Sequence, residues 1–180
     1  MHSEIGTIII SGAHSSIGQL LIQNLKNRSV NIIGIITPWG NTDKLIKKDT
    51  FIEYICCDLN RPLSDNLKIK FKNSTIFIHL AWARPKISFE ALKINENMFF
   101  NVLASLPKEI KIIYISSVVS NKYSISNYGK AKYNLSQILK DYNTVEVIIG
   151  LVVSKPAKGP YKLFRDFLNS SFLTFSFRPS

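Results

Sequence analysis

Tyr128 and Lys132 stand four residues apart and have the chemistry of an acid/base pair. In a helix this spacing places both side chains on one face. An ammonium near a phenol favours the phenolate, so the pKa of the phenol falls towards neutral pH and the group becomes a usable acid or base. Ser117 precedes Tyr128 by eleven residues, and its hydroxyl could orient a reacting carbonyl or hydroxyl. Tyr and Lys at this spacing are also common on solvated helices, so the pair alone does not define a site.

A second group of residues could hold a phosphate. The apolar run Thr7–Ser11 leads into the loop Ser11-Gly12-Ala13-His14-Ser15-Ser16-Ile17-Gly18, and an amphipathic segment follows it. A loop of this kind lets the backbone approach a pyrophosphate, whose charge the N-terminus of the next helix stabilises. The alternative is an ordinary turn that needs glycine for its backbone angles. Ser15 stands where the pattern G-x-x-G-x-x-G has its middle glycine.

Apolar runs of strand length alternate with segments that can form helices. The predicted strands are Thr7–Ser11, Val30–Ile36, Phe51–Cys57, Thr75–Ala81, Ile110–Ser116 and Val145–Val153. The predicted helices are Ile17–Asn27, Phe89–Ser105, Tyr128–Asp141 and Tyr161–Asn169. Nearly continuous hydrophobicity in the strands indicates burial on both faces. The sequence therefore predicts an α/β fold, a doubly wound parallel sheet with helices on both faces.

Composition narrows the class of protein. The 180 residues, 46% hydrophobic and 19% charged, predict one folded domain over residues 1–180. The net charge is +11, but its 23 basic residues are scattered, which disfavours a nucleic-acid partner. No run is long enough to cross a membrane and the start does not resemble a signal peptide, so we expect a cytoplasmic protein. Adjacent Cys56 and Cys57 fit a buried strand, and no metal site is expected.

Taken in order, the motifs resemble those of the extended branch of the short-chain dehydrogenase/reductase superfamily, which includes NAD-dependent, nucleotide-sugar-modifying epimerases and dehydratases. The resemblance covers about residues 5 to 160 and implies a Rossmann-type sheet. It rests on Gly12-x-x-Ser15-x-x-Gly18, Asp58-Leu59, His79-Leu80-Ala81-Trp82-Ala83, Asn95 with Asn101, Ser116-Ser117 and Tyr128-x-x-x-Lys132.

This resemblance implies which residues form the site. The catalytic set would be Ser117, Tyr128 and Lys132. The residues that bind NAD or NADP would be Gly12, His14, Ser15, Ser16, Ile17, Gly18, Thr37, Asp58, Leu59, Leu80, Ala81, Ala83, Asn95, Ser116, Tyr128 and Lys132. The choice between the two cofactors stays open, because Thr37 ends the second strand where many NAD-binding domains have an acidic residue. Asp58 could instead cap a turn, and Asn95 could lie on a helix surface.

The substrate side departs from the family pattern. Where the family has Arg and Asn after the sixth strand, this chain has Gly150-Leu151-Val152-Val153-Ser154-Lys155-Pro156. We expect the chain to lack most of the C-terminal substrate lobe, with residues 161–180 as the start of an incomplete substrate-binding region.

Two functions follow from the resemblance. The first is an NAD(P)-dependent oxidoreductase, epimerase or dehydratase acting on a nucleotide-activated sugar or related carbonyl compound, with Tyr128 as acid/base. The alternative is a non-catalytic dinucleotide-binding module or sensor. The resemblance also implies a homodimer through Phe89–Ser105 and Tyr128–Asp141, although the apolar faces of those helices would equally serve to cover the sheet.

Overall fold

The computed structural model describes residues 6–38, 51–83 and 88–150, the last range with side chains from residue 93. The chain divides into two compact units, Met1–Ile148 and Ile149–Ser180. The account below concerns the first unit. The predicted helix Tyr161–Asn169 lies outside the described residues. So do residues 151–156, which belong to the segment that differs from the family pattern. The prediction of a single domain over residues 1–180 stays a prediction.

Within the described ranges, six strands form one sheet. They are β1 (Thr7–Ser11), β2 (Asn31–Ile36), β3 (Ile52–Cys56), β4 (Ser74–His79), β5 (Lys111–Ser117) and β6 (Thr144–Ile149), in the order β3-β2-β1-β4-β5-β6. The pairs β1–β2, β1–β4, β2–β3 and β4–β5 are parallel. The predicted doubly wound α/β fold is therefore confirmed. The strand order reverses between β1 and β4, and in such sheets the crevice at this point, at the carboxyl ends of the strands, is where ligands bind.

Four helices connect the strands in the described ranges. They are α1 (Ser16–Leu25), α2 (Asp65–Phe71), α3 (Ser88–Leu103) and α4 (Asn127–Ile138), the last extended by a short 3₁₀ turn at Leu139–Asp141. Helices α1 and α3 begin and end within two residues of their predicted positions, and α4 with its 3₁₀ turn ends at the predicted Asp141. Helix α2 was not predicted. In this part of the chain no helix has the length and apolar character needed to cross a bilayer.

The core has a layer on each face of the sheet. On one face, Ile22 of α1 packs with Ile8, Ile10 and Ile32. On the other, side chains of α2, α3 and α4, including Phe71, Phe99 and Leu135, pack with Ile9, Ile33 and Phe77. Helices thus cover both faces, as predicted.

The strands at the margins of the sheet differ from the prediction of burial on both faces. Strand β6 exposes Val145, Val147 and Ile148, and Cys56 at the end of β3 is exposed too. Both strands lie at the outside of the strand order, where neighbouring elements cover less of each strand. Cys57 is half-buried, and burial raises the pKa of its thiol to about 11. Neither cysteine forms a disulfide.

Candidate active site at the reversal of strand order

Gly12 fits its position because it has no side chain. Its φ is +71°, a conformation that residues with a Cβ rarely adopt, and a Cβ there would lie 2.7 Å from the backbone nitrogen of Ala81. The N–H groups of Gly12 and Ala13 both donate to the carbonyl of Ile35, at 3.0 and 3.2 Å. The loop after β1 is therefore held close to the ends of both neighbouring strands.

Ser15 caps helix α1. Its hydroxyl oxygen accepts a hydrogen bond from the N–H of Gly18 at 3.0 Å, which satisfies one of the unpaired donors at the helix N-terminus. Gly18 itself is buried, and a Cβ on it would lie 2.7 Å from the carbonyl oxygen of Gly12. His14 and Ser16 are exposed and Ile17 is half-buried. The serine in place of the middle glycine therefore stabilises the loop.

The end of β4 is bonded to the end of β1. The hydroxyl of Ser11 lies 2.9 Å from Nδ1 of His79 and accepts from the N–H of Ala81 at 3.3 Å. The N–H of Leu80 donates to the carbonyl of Ser11 at 3.1 Å. Burial lowers the pKa of His79 to about 3, with a smaller effect of Lys132, so the imidazole is neutral. Leu80 and Ala81 are thereby fixed beside the Gly12 loop.

Asn95 fixes the backbone of Ala83. Its amide oxygen accepts from the N–H of Ala83 at 2.8 Å, and its amide nitrogen donates to the carbonyl of Ala83 at 3.0 Å. Asn95 is 1% exposed, so the alternative of a helix-surface residue is wrong. The side chain supports the segment that follows β4.

Thr37, Asp58 and Leu59 follow β2 and β3 at the same edge of the sheet. The carboxylate of Asp58 accepts from the backbone and side-chain N–H groups of Asn60, at 3.0 and 3.1 Å, which is the turn-capping arrangement. The side chain of Leu59 is 2% exposed and belongs to the core. Its carbonyl oxygen accepts from the amide of Asn101 at 2.9 Å. Leu59 as a whole is therefore buried, and its carbonyl is already occupied by Asn101.

Helix α4 begins next to the end of β5. Ser126 caps it by accepting from the N–H of Gly129 at 3.0 Å, and a Cβ on Gly129 would collide with the carbonyl oxygen of Val119. The helix can approach the loop that follows β5 because Gly129 has no side chain. Tyr128 on its first turn is 43% exposed.

Lys132, one turn later, is only 5% exposed. Its Nζ donates to the carbonyl of Ile115 at 2.7 Å. Burial lowers the pKa of this amine to about 7, and Glu146 partly opposes the shift. Nζ lies 6.0 Å from the centroid of the Tyr128 ring. The structure thus brings the predicted Tyr–Lys pair together, with an accessible phenol and a buried amine.

Ser116 and Ser117 end β5. Ser116 is 1% exposed, and its hydroxyl oxygen has no hydrogen-bond partner within the described ranges. Ser117 is half-buried and accepts weakly from the N–H of Val119, at 3.5 Å. The hydroxyl of Ser117 is therefore the more accessible of the two, while its role and those of Tyr128 and Lys132 stay predictions.

Trp82 belongs to the motif His79-Leu80-Ala81-Trp82-Ala83, but no role was predicted for its own side chain, and the structure places that side chain at the site. Its indole ring centroid lies 4.0 Å from Nζ of Lys132 and 5.3 Å from the centroid of the Tyr128 ring, at an interplanar angle of 82°. A large aromatic residue amid the small residues of Leu80-Ala81-Trp82-Ala83 was the signal that could have found it. Across the described ranges, no cluster of His, Cys, Asp or Glu side chains could hold a metal ion.

Comparisons with solved structures define the class of fold. The enzyme WbmG from Bordetella bronchiseptica, solved in complex with NAD and UDP, superposes with a TM-score of 0.70 at 18% identity, over 91% of this chain and 59% of that one. Pen from Bacillus thuringiensis gives a TM-score of 0.65 at 16% identity, over 94% and 57%. A short-chain dehydrogenase from Sphingobium yanoikuyae, solved with NADPH, gives 0.62 at 19%, over 82% and 72%.

The chain therefore has the fold of the short-chain dehydrogenases, the fold that the motif resemblance implied. It spans 57% of the length of Pen and 59% of the length of WbmG. Neither a family model nor a curated protein matches the sequence.

Proposed function

We propose that the chain binds a nicotinamide dinucleotide at the Gly12 loop and is an oxidoreductase, epimerase or dehydratase of the short-chain dehydrogenase type. The observation that carries this proposal is the arrangement of Tyr128, exposed on the first turn of α4, with the buried amine of Lys132 on the next turn. Both lie at the edge of the sheet where the Gly12 loop meets β4. The bound dinucleotide would supply hydride transfer.

The loop fits a dinucleotide. The positions of Gly12 and Gly18 have no room for a Cβ, so the loop backbone remains bare where a pyrophosphate would approach the N-terminus of α1. Around it, the residues proposed to bind the dinucleotide are His14, Ser15, Ser16, Ile17, Thr37, Asp58, Leu59, Leu80, Ala81, Ala83, Asn95, Ser116, Tyr128 and Lys132. In solved structures of the same fold, WbmG holds NAD and the Sphingobium enzyme holds NADPH, so the proposal covers both cofactors.

Three side chains would carry the chemistry. Tyr128 would exchange a proton with the substrate oxygen, and Ser117 would orient that oxygen. Lys132, with a pKa of about 7, would be half protonated at neutral pH, and its charged form would favour the phenolate of Tyr128.

The proposed substrate is a nucleotide-activated sugar or a related carbonyl compound. The complex of WbmG with UDP supports a nucleotide-bearing substrate. A second candidate function, dinucleotide binding without turnover, is favoured by one observation: the Lys132 amine already contacts the Ile115 carbonyl and the Trp82 ring.

We also propose that the protein is cytoplasmic, with one domain over residues 1–180, and forms a homodimer. Helices α3 and α4 pack against each other on one face of the sheet and would supply the dimer surface. Sedimentation at micromolar concentration tests the dimer, and a monomer at all concentrations would contradict it.

Tyr128→Phe tests the catalytic proposal, with Tyr142→Phe as a matched control at an exposed tyrosine before β6. Nicotinamide absorbance is followed with NAD and NADP against UDP-activated sugars, and with NADH and NADPH against simple carbonyl compounds. Chromatography of the sugar products detects epimerase or dehydratase turnover, which returns the hydride to the substrate and leaves the absorbance unchanged. We expect the Tyr128 variant to retain dinucleotide binding, since its ring and the other binding residues remain, and to lose roughly a hundredfold or more of its turnover. Undiminished turnover by the Tyr128 variant would contradict the role of Tyr128 as acid/base. Tight dinucleotide binding with no turnover by the wild-type protein on any compound would favour the binding module.

A further inference from the structure

The indole of Trp82 contacts the amine of Lys132. Nζ lies 4.0 Å from the indole centroid, against 4.8 Å for the ring of Tyr114 and 6.0 Å for that of Tyr128. The same nitrogen donates to the carbonyl of Ile115 at 2.7 Å. The amine is therefore engaged both by a carbonyl oxygen and by the aromatic ring nearest to it.

The contact with the indole stabilises the charged form of Lys132. The face of an indole carries negative charge density and attracts a cation, most strongly when the cation is desolvated. Lys132 is 5% exposed, so water competes little for it. Any ligand group that takes a hydrogen bond from this ammonium must therefore compete with the indole.

Trp82 also borders the exposed phenol. Its ring meets the Tyr128 ring edge to face, with 5.3 Å between centroids, and the indole is half-buried. The hydrogen bonds of Asn95 to Ala83 hold the next residue of the chain in place. The indole thus stands next to both the phenol and the amine on a fixed backbone.

We propose that Trp82 weakens the binding of the nicotinamide half of a dinucleotide, because its indole competes with that half for the ammonium of Lys132. This inference rests on the proposed function. Its consequence is a site that binds the adenosine diphosphate half at full strength and the nicotinamide half at reduced strength. Replacing Trp82 by a residue without an aromatic ring should therefore strengthen the binding of NAD and leave the binding of ADP unchanged.

Calorimetry with NAD and with ADP tests the proposal on the full chain. We expect Trp82→Leu, which keeps apolar volume in place of the ring, to tighten NAD binding about fivefold to tenfold and to change ADP binding less than twofold. Trp82→Phe keeps a weaker aromatic face and should give an intermediate value. Tyr142→Leu removes an exposed aromatic ring beyond the C-terminal end of α4 and should change neither ligand.

Fluorescence gives a readout that a merely structural role would not produce. The chain has two tryptophans, and Trp39→Phe leaves Trp82 as the single indole. We expect NAD to change the emission of Trp82, since the indole must leave the ammonium, and ADP to leave it unchanged. Binding of NAD without a change in emission overturns the proposal, as does an equal effect of Trp82→Leu on both ligands. If neither ligand binds any variant, the proposed function itself fails.

Discussion

The hydroxyl oxygen of Ser11 lies 2.9 Å from Nδ1 of His79, and both side chains are completely buried. The same Ser11 oxygen accepts from the N–H of Ala81 at 3.3 Å, so one hydroxyl contacts both the imidazole and the backbone after β4. The pair joins the ends of β1 and β4 at the point where the strand order reverses, so it supports the Gly12 loop from the interior.

Ser11→Ala should lower the free energy of unfolding by about 1–3 kcal/mol, because it leaves Nδ1 of His79 and the N–H of Ala81 buried without this partner. Urea denaturation measures the change. Ser74→Ala is the matched control, since the Ser74 hydroxyl is also buried in the sheet but has no hydrogen-bond partner among the described residues. Equal losses in the two variants would contradict the importance of the Ser11 bond.

His79 should make the protein sensitive to acid. Its pKa in the folded protein is about 3, below the ordinary 6.5, so between these values the unfolded chain binds a proton that the folded chain does not. Its contribution to stability is complete above pH 6.5 and falls by about 1.4 kcal/mol per pH unit as the pH drops towards 3. The free energy of unfolding of His79→Asn, measured by denaturation across this pH range, should lack that slope. His14→Asn, at an exposed histidine, should keep it.

Gly12→Ala should destabilise the fold by roughly 2 kcal/mol or more, since it forces a side chain into a positive φ and against the backbone of Ala81. The same change should abolish dinucleotide binding, which calorimetry can check. Gly150→Ala provides the comparison, because no atom of the described residues lies within 4 Å of the Cβ it would add. A Gly12 variant that is as stable as this control would show that the loop adopts another conformation.

Ser15→Ala should cost about 1 kcal/mol of stability through loss of the helix cap, whereas Ser15→Gly should cost only a few tenths. Thermal or urea unfolding distinguishes the two. Ser64 occupies the equivalent position before α2, but its side chain makes no capping hydrogen bond, so Ser64→Ala should have little effect. If all three changes are equivalent, the Ser15 hydroxyl does not stabilise α1.

The sequence predicted the sheet well because its central strands are continuous apolar runs such as Ile8-Ile9-Ile10, whose burial leaves little ambiguity. Helix α2 was missed for a physical reason. Lys68-Ile69-Lys70-Phe71-Lys72 alternates with the period of a strand and not with that of a helix. Lys68 and Ile69 are exposed, but Phe71 is completely buried. Leu63, Leu67 and Phe71, four residues apart, form the face that packs on the core.

At the site, spacing predicted that Tyr128 and Lys132 share a helix face, because i and i+4 positions always do so. Spacing did not predict the partners of the amine. The contact of Lys132 with Trp82 joins residues fifty positions apart and depends on how α4 packs beside β4 and β5. In the same way, the pairing of Ser11 with His79 depends on the register of two strands.

The register between β1 and β4 also bears on how the protein folds. Ser11 and His79 are 68 residues apart in the chain, so the surroundings of the Gly12 loop are complete only after a long segment has closed on itself. Closing such a segment costs chain entropy before any contact compensates for it, and pairings of this kind form slowly. The loop would therefore acquire its ligand-binding shape late in folding, and dinucleotide binding would report the completion of the β1–β4 pairing.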